Sequence, residues 1–360
     1  MWVVWIILVL LSRETSAHPT FVRLGYSSCT GCHVSSQGGG LLTPYGQGIA
    51  TTQAFIATES EEDESESRYV QAFQGRLMRY TTEDETRTFP MQFDYLAQFK
   101  IIPKVWMNGI LAVAPKPKDE SPEDAKSPYQ RLYGREVSAT WSIRAEGLKE
   151  DRLTLGIGAL PMGVGLVDHT AYVRQENRQY VTDLPMTLKY YFARESFFGH
   201  AFAYLPNPQE EAGNKETGQG AQGWWRPLRH LALGAQALQG ETDTIKRRQG
   251  GVLLKAGHGR FAYLGELNRT WRELQSDKSE FRQWTWFQQA SIYPREYLHL
   301  YASFQGLERD RVFQTRERRE AVGFEWRLWS HISLLFEHRT RIAGDLRERS
   351  QLLQLYFNGF

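Results

Sequence analysis

Residues 92–101, QFDYLAQFKI, alternate: Phe93, Tyr95, Ala97, Phe99 and Ile101 share one face, and Gln92, Asp94, Gln98 and Lys100 share the other. Successive side chains of a strand point to opposite faces, so this stretch reads as a strand with one apolar and one polar side. Pro103 ends the run after about ten residues, enough for a tilted strand to cross a hydrocarbon layer. An apolar side turned to lipid and a polar side turned to a lumen is the pattern of a membrane β-barrel.

The same period recurs from about residue 68 onward. Segments near 69–80, 104–114, 131–144, 152–160, 185–193, 197–205, 229–239, 246–256, 259–271, 281–291, 296–307, 318–328, 331–341 and 350–359 read alike. Short links such as 257–259, 293–296 and 329–331 suit tight turns, and polar stretches at 115–130 and 206–228 suit external loops. With residues 92–101 these make fifteen segments, whereas a bacterial single-chain barrel has an even number. Pro161–Arg174, PMGVGLVDHTAYVR, is the expected place of the missing strand. The fold class is therefore all-β, a transmembrane antiparallel barrel over 68–360 with sixteen strands, fourteen being the alternative.

Composition agrees. Aromatics make up 13% of 360 residues, yet charged residues are 23% and mean hydropathy is −0.50. A soluble core so rich in rings would come with long apolar runs, and none follows the N-terminus. Trp224–Trp225 and Trp284–Trp286 suit interfacial girdles. The formal charge of +2 is nearly balanced and implies neither nucleic acid nor an acidic partner. The apolar run Trp2–Leu11, followed by Thr15, Ser16 and Ala17, reads as a secretory signal peptide over 1–17. The final Phe360 after Leu352, Leu353, Leu355, Tyr356 and Phe357 resembles the terminal insertion signal of outer-membrane barrels.

Ahead of the barrel stands Cys29-Thr30-Gly31-Cys32-His33, the spacing C-x-x-C-H. It supplies two thioether bonds to haem vinyl groups and an adjacent proximal ligand, His33. A zinc half-site would need further ligands, and the chain holds 2 cysteines in all; a redox pair belongs in a βαβ setting that is missing here. The reading is one covalent haem c in a module over 18–57, joined to the barrel by the acidic stretch 58–67. Forty residues bury little core, so the haem acts as staple and the barrel as partner surface. Gly38–Gly40 would stop a helix, and Leu41, Leu42, Pro44 and Tyr45 offer apolar cover for a haem face or ordinary loop packing. His18 is the candidate for the opposite axial position, against a free N-terminus; a five-coordinate iron or His169 are the other options.

Together, the leader, the single C-x-x-C-H module and a barrel closing on Phe resemble the fused monohaem cytochrome-porins of bacterial outer membranes, among them outer-membrane iron oxidases. Gly25–Gly46, GYSSCTGCHVSSQGGGLLTPYG, carries the sequence-specific part, and Asp168-His169-Thr170 is similar to a triplet of such barrels. The resemblance implies electron transfer across the outer membrane, with the haem at the periplasmic side or in the lumen. A periplasmic electron-carrier cytochrome and extracellular ferrous iron, or another external redox partner, are the implied partners. Electron-transfer protein and ferrous-iron oxidoreductase are two descriptions of that activity, and outward transfer is equally compatible. Cys29, Cys32 and His33 carry over by position; the opposite axial ligand does not. Two other classes stay open: a diffusion porin with the module as gate or sensor, and the sheath of a multi-protein conduit.

Overall fold

The computed structural model describes residues 19–35, 41–43, 45–46, 69–113, 132–146, 149–166, 168, 170–177, 184–207, 215–310, 315–329 and 332–359. The expected leader, the acidic stretch 58–67, the loop 115–130, His18, His169 and Phe360 lie outside these residues. Among the described residues, sixteen antiparallel strands close on themselves. They are β1 (Tyr69–Thr82), β2 (Thr86–Ile102), β3 (Val105–Val113), β4 (Leu132–Glu146), β5 (Lys149–Ile157), β6 (Met186–Ala193), β7 (Phe197–Leu205) and β8 (Thr217–Leu228). The second half comprises β9 (Leu231–Glu241), β10 (Ile245–His258), β11 (Phe261–Leu274), β12 (Glu280–Arg295), β13 (Leu298–Arg309), β14 (Arg316–Trp329), β15 (Ile332–Ala343) and β16 (Leu346–Gly359).

Each strand pairs with its sequence neighbours, and β16 returns to β1 from Phe73 opposite Gly359 to Thr82 opposite Ser350. Closure leaves no unpaired edge, the condition for a sheet to stand in lipid. The one proline inside β2, Pro90, falls where the register with β1 shifts between Arg76 and Leu77, because a residue without an N–H fits a bulge better than a ladder. The alternation of residues 92–101 holds: Phe93, Phe99 and Ile101 are exposed on the outside, while Asp94, Leu96 and Gln98 are buried inside.

Two expectations need correction. The sixteenth strand is β8, in the stretch assigned to an external loop, and not Pro161–Arg174. The outward residues of β8 are Thr217, Gln219, Ala221 and Gly223 before Trp225, too small and polar to show the period. Residues 158–166, 168 and 170–177 instead turn into the lumen. Gly163 and Gly165, with φ of 79° and 75°, make that turn in a region glycine alone enters freely, and the one-turn helix α3 (Tyr172–Gln175) follows. Wall side chains satisfy its backbone: Gly163 N donates to Gln236 (2.7 Å), Val164 N to Glu266 (3.0 Å) and Tyr172 N to Gln305 (3.0 Å). Trp225, Trp284 and Trp286 face outward as expected, but Trp224 is inside and buried.

Candidate functional site: a C-x-x-C-H turn held inside the barrel

Two short helices precede β1: α1 (Pro19–Arg23) and α2 (Cys29–Cys32). Ser28 caps α2 by accepting from Gly31 N (3.1 Å), and His33 N closes the turn on Cys29 O (2.9 Å). One helical turn sets positions i and i+3 on one side, so Cys29 and Cys32 share a face, and His33 follows as the extended C-cap. Residues 41–43 and 45–46 then return across the motif. Val34 N donates to Leu41 O and Thr43 N to Cys32 O, both at 2.9 Å, and Thr43 Oγ1 donates to Gly31 O (2.7 Å). Gly46 lies so close to the Cys32 carbonyl that a Cβ would overlap it.

The barrel wall holds this module from several strands. Ser28 Oγ and Tyr191 OH of β6 are 2.9 Å apart, and Thr30 Oγ1 lies 3.0 Å from His200 Nε2 of β7. Arg152 of β5 donates to Thr30 O, and Lys255 of β10 donates to Ser27 O (2.9 Å) with its amine 3.5 Å from Cys29 Sγ. Arg23 donates to Gly259 O (3.0 Å), pairs with Glu296 and lies 4.7 Å over the Tyr293 ring. Across the lumen, Ser35 donates to Glu136 (3.2 Å), and Leu41 is buried against Ala72, Leu96 and Ile110. Leu41 therefore does ordinary wall packing. Gly259 and Glu296 belong to the short β10–β11 and β12–β13 turns, so the module fills the short-turn half of the lumen. Val22 joins Val164, Leu166, Ala171 and Val173 of the infolded segment in one apolar cluster with Tyr191, Phe198, Trp224 and Phe287 of the wall.

The cysteines are free and half-buried. Burial, then the neighbouring Cys29, pushes the Cys32 thiol up to about 12, with Arg152 opposing. The donor set fits a covalent haem: two unpaired thiols three residues apart on one turn, and a buried histidine next to the second. The sequence pointed to this triad but not to Tyr191, His200, Lys255, Arg152 or Arg23, which hold it. Strand parity alone would place Lys255 inward, a lone cation in the apolar run Val252–Ala256.

A cavity of about 490 Å³ remains between the infolded segment and the wall formed by β1, β2 and β11 to β16. Arg76, Arg319 and Arg339 line it opposite Asp168. Asp168 accepts from Thr170 N (2.9 Å), Thr170 Oγ1 (2.7 Å) and Arg339 (3.1 Å), and Arg319 donates to Thr170 O (2.8 Å). Burial disfavours the Asp168 carboxylate, but Arg339 and Thr170 outweigh it and hold the group well below the usual range. Among the described residues no three His, Cys, Asp or Glu side chains gather as a metal site.

No family model matches this chain, and no curated protein matches it in sequence. Solved structures do. The outer-membrane-expressed OmpT of Vibrio cholerae is similar at a TM-score of 0.61 and 10% identity, over 81% of this chain and 97% of that one. An anion-selective porin from Comamonas acidovorans gives 0.60 at 8% identity, over 81% and 99%. The outer membrane channel DcaP of Acinetobacter baumannii gives 0.55 at 8%, over 81% and 96%. At such identities the likeness concerns architecture alone: this chain has the barrel fold of outer-membrane porins.

Proposed function

We propose that this protein is an electron-transfer barrel of the bacterial outer membrane, with one haem c bound by Cys29 and Cys32 and His33 as proximal ligand. The observation that carries the reading is the fixing of the C-x-x-C-H turn inside the barrel wall by Tyr191, His200, Arg152, Lys255 and Arg23. A covalent haem supplies one-electron chemistry, with a potential set by axial ligation and local dielectric. The chain's own residues orient and enclose. Arg152 and Lys255 bind two carbonyls flanking Cys29, and the returning segment closes one side of the turn. Short turns of such barrels face the periplasm, which sets the module within reach of a periplasmic carrier cytochrome, with ferrous iron or another external redox partner beyond the lumen. His18, outside the described residues, is the proposed second residue that would hold the haem iron.

The test is a visible spectrum and a haem stain of the membrane-extracted full chain, with ferrous iron as reductant, beside Cys29→Ser/Cys32→Ser. Covalent haem in the parent and its loss from a still-folded double variant is the expected result. A parent without covalent haem overturns the reading.

The residual cavity favours a second reading, a diffusion porin with the module as gate. It predicts steady solute conductance in planar bilayers; fast haem reduction across a vesicle wall without conductance excludes it.

A further inference from the structure

Of the five short connections whose residues are described, 103–104, 194–196, 229–230, 259–260 and 296–297, four carry a Lys or Arg and two carry a carboxylate. The cations are Lys104, Arg194, Arg229 and Arg260, with Arg144, Arg226 and Arg295 near the adjoining strand ends. Of the two carboxylates, Glu195 and Glu296, Glu296 is turned to Arg23, and Arg194 is itself paired with Asp151 of β5 at 2.9 Å. The opposite end has the reverse sign. Its fully described tips, 83–85, 242–244, 275–279 and 344–345, hold Glu83, Asp84, Glu85, Asp243, Asp277 and Asp345 against one cation, Lys278. The barrel is thus charge-polarised along its axis although its net charge is near zero.

The basic end is built around the module. The Arg229 chain lies so close to Gly25 that a Cβ there would meet its Cγ at 2.7 Å, and Arg226 is an electrostatic neighbour of Tyr45. Tyr45, 45% exposed, is the open edge of the segment that crosses Cys32. Around the outer circumference at the same level stand exposed Phe197, Trp225, Leu228, Phe261 and Tyr297. Such apolar and aromatic side chains face hydrocarbon and headgroups, which leaves Arg226 and Arg229, beside the module, to the aqueous mouth.

We propose that the short-turn rim is a docking surface for the acidic face of a soluble protein, which it guides onto the Tyr45 edge. Identifying that partner as an electron carrier rests on the function proposed above; the docking itself does not. A rim with an excess of one sign raises association with an opposite-sign partner about tenfold or more at low ionic strength, and salt removes the gain. The geometry selects a protein over lipid because Arg226 and Arg229 stand beside the module, inside the aromatic circumference.

The full chain in neutral maltoside micelles is titrated with flavodoxin, an acidic one-electron protein, and with mitochondrial-type cytochrome c, a basic one. Flavodoxin is expected to bind at low salt and to weaken about tenfold or more on reaching physiological salt, and cytochrome c is expected not to bind. Arg226→Glu/Arg229→Glu/Arg260→Glu should invert the preference, and the milder triple Gln variant should abolish it; a heat-shifted gel band verifies that each barrel is folded. Equal binding of the two probes, or a preference untouched by reversal, overturns the inference. Retention of anionic phospholipid by the parent but not by the reversal variant, with flavodoxin binding unchanged, would assign the rim to headgroups and overturn it as well. Binding is read without haem. A barrel that binds flavodoxin but holds no haem therefore fails the proposed function and keeps the docking surface, and a haem-bearing barrel indifferent to flavodoxin does the opposite.

Discussion

Replacing Arg23 by Ala should unlatch the module from the wall without disturbing the barrel. Its side chain is 4% exposed, donates to Gly259 O at 3.0 Å, and lies 4.7 Å over Tyr293, while its partner Glu296 is 51% exposed. A bond from a charged donor contributes about 1.5–3 kcal/mol, the cation–π contact about 0.5–1 kcal/mol, and a pair with a half-exposed carboxylate about 0–1 kcal/mol. The total is about 3 kcal/mol, or about 150-fold in the docking equilibrium. Hydrogen exchange reads this directly, because amide exchange through local opening scales with the opening equilibrium. The reporters are Gly25 N on Val22 O, Tyr26 N on Phe21 O and His33 N on Cys29 O. Their exchange should accelerate about a hundredfold, with β10 and β12 unchanged. Arg23→Lys keeps the charge but not the planar fork, and should recover part of the protection. Acceleration of less than about threefold would refute the latch.

Three further outcomes follow from other contacts. With the Cys32 thiol pushed up to about 12, about one in ten thousand is thiolate at pH 8, so haloacetamide labelling of apo protein should be slow there and rise with undocking. Because the folded value lies above the ordinary one, this group's contribution is intact below the ordinary thiol range and lost as pH climbs through it; exchange of α2 should therefore increase under alkali. Asp168 is shifted the other way: its contribution is present above the ordinary carboxylate range and lost as pH falls, so acid should loosen the infolded segment and change conductance, and Asp168→Asn should remove that dependence. Gly306→Ala places a Cβ onto the Trp286 indole, its cross-strand partner on the outer face. Overpacking of this kind costs about 1–3 kcal/mol, measurable as a lower temperature of conversion to the unfolded gel band.

Most of the barrel was legible because lipid enforces alternation on one face. Residues 92–101 show this, and so do their counterparts in β9, β12 and β16. The two errors have one cause. The outward positions of β8 are Thr, Gln, Ala and Gly, flanked by Ala201 and Ala237 opposite Ala221, so its place is set by ladder bonds to β7 and β9 and leaves no apolar signature. Conversely, Val164 and Leu166 mimic a strand while packing in the lumen against Leu264 and Phe287. Period two reports that one face is dry, without saying what dries it. Similarly, Cys29, Cys32 and His33 announce their chemistry by spacing, whereas Tyr191, His200 and Lys255 acquire their roles by facing the motif across more than a hundred residues of chain.

The strand ladder starts at Tyr69 and closes between β1 and β16, so no pairing of the wall depends on the module that precedes it. The groups that grip the module are Arg152, Lys255, His200 and Tyr191. All carry polar atoms that water solvates well. Were the module to leave, the lumen would flood and hydration would replace the lost bonds. A soluble protein stripped of a comparable plug would be left with a dry cavity and orphaned charges. This one would become a wet pore, and the same wall serves both states.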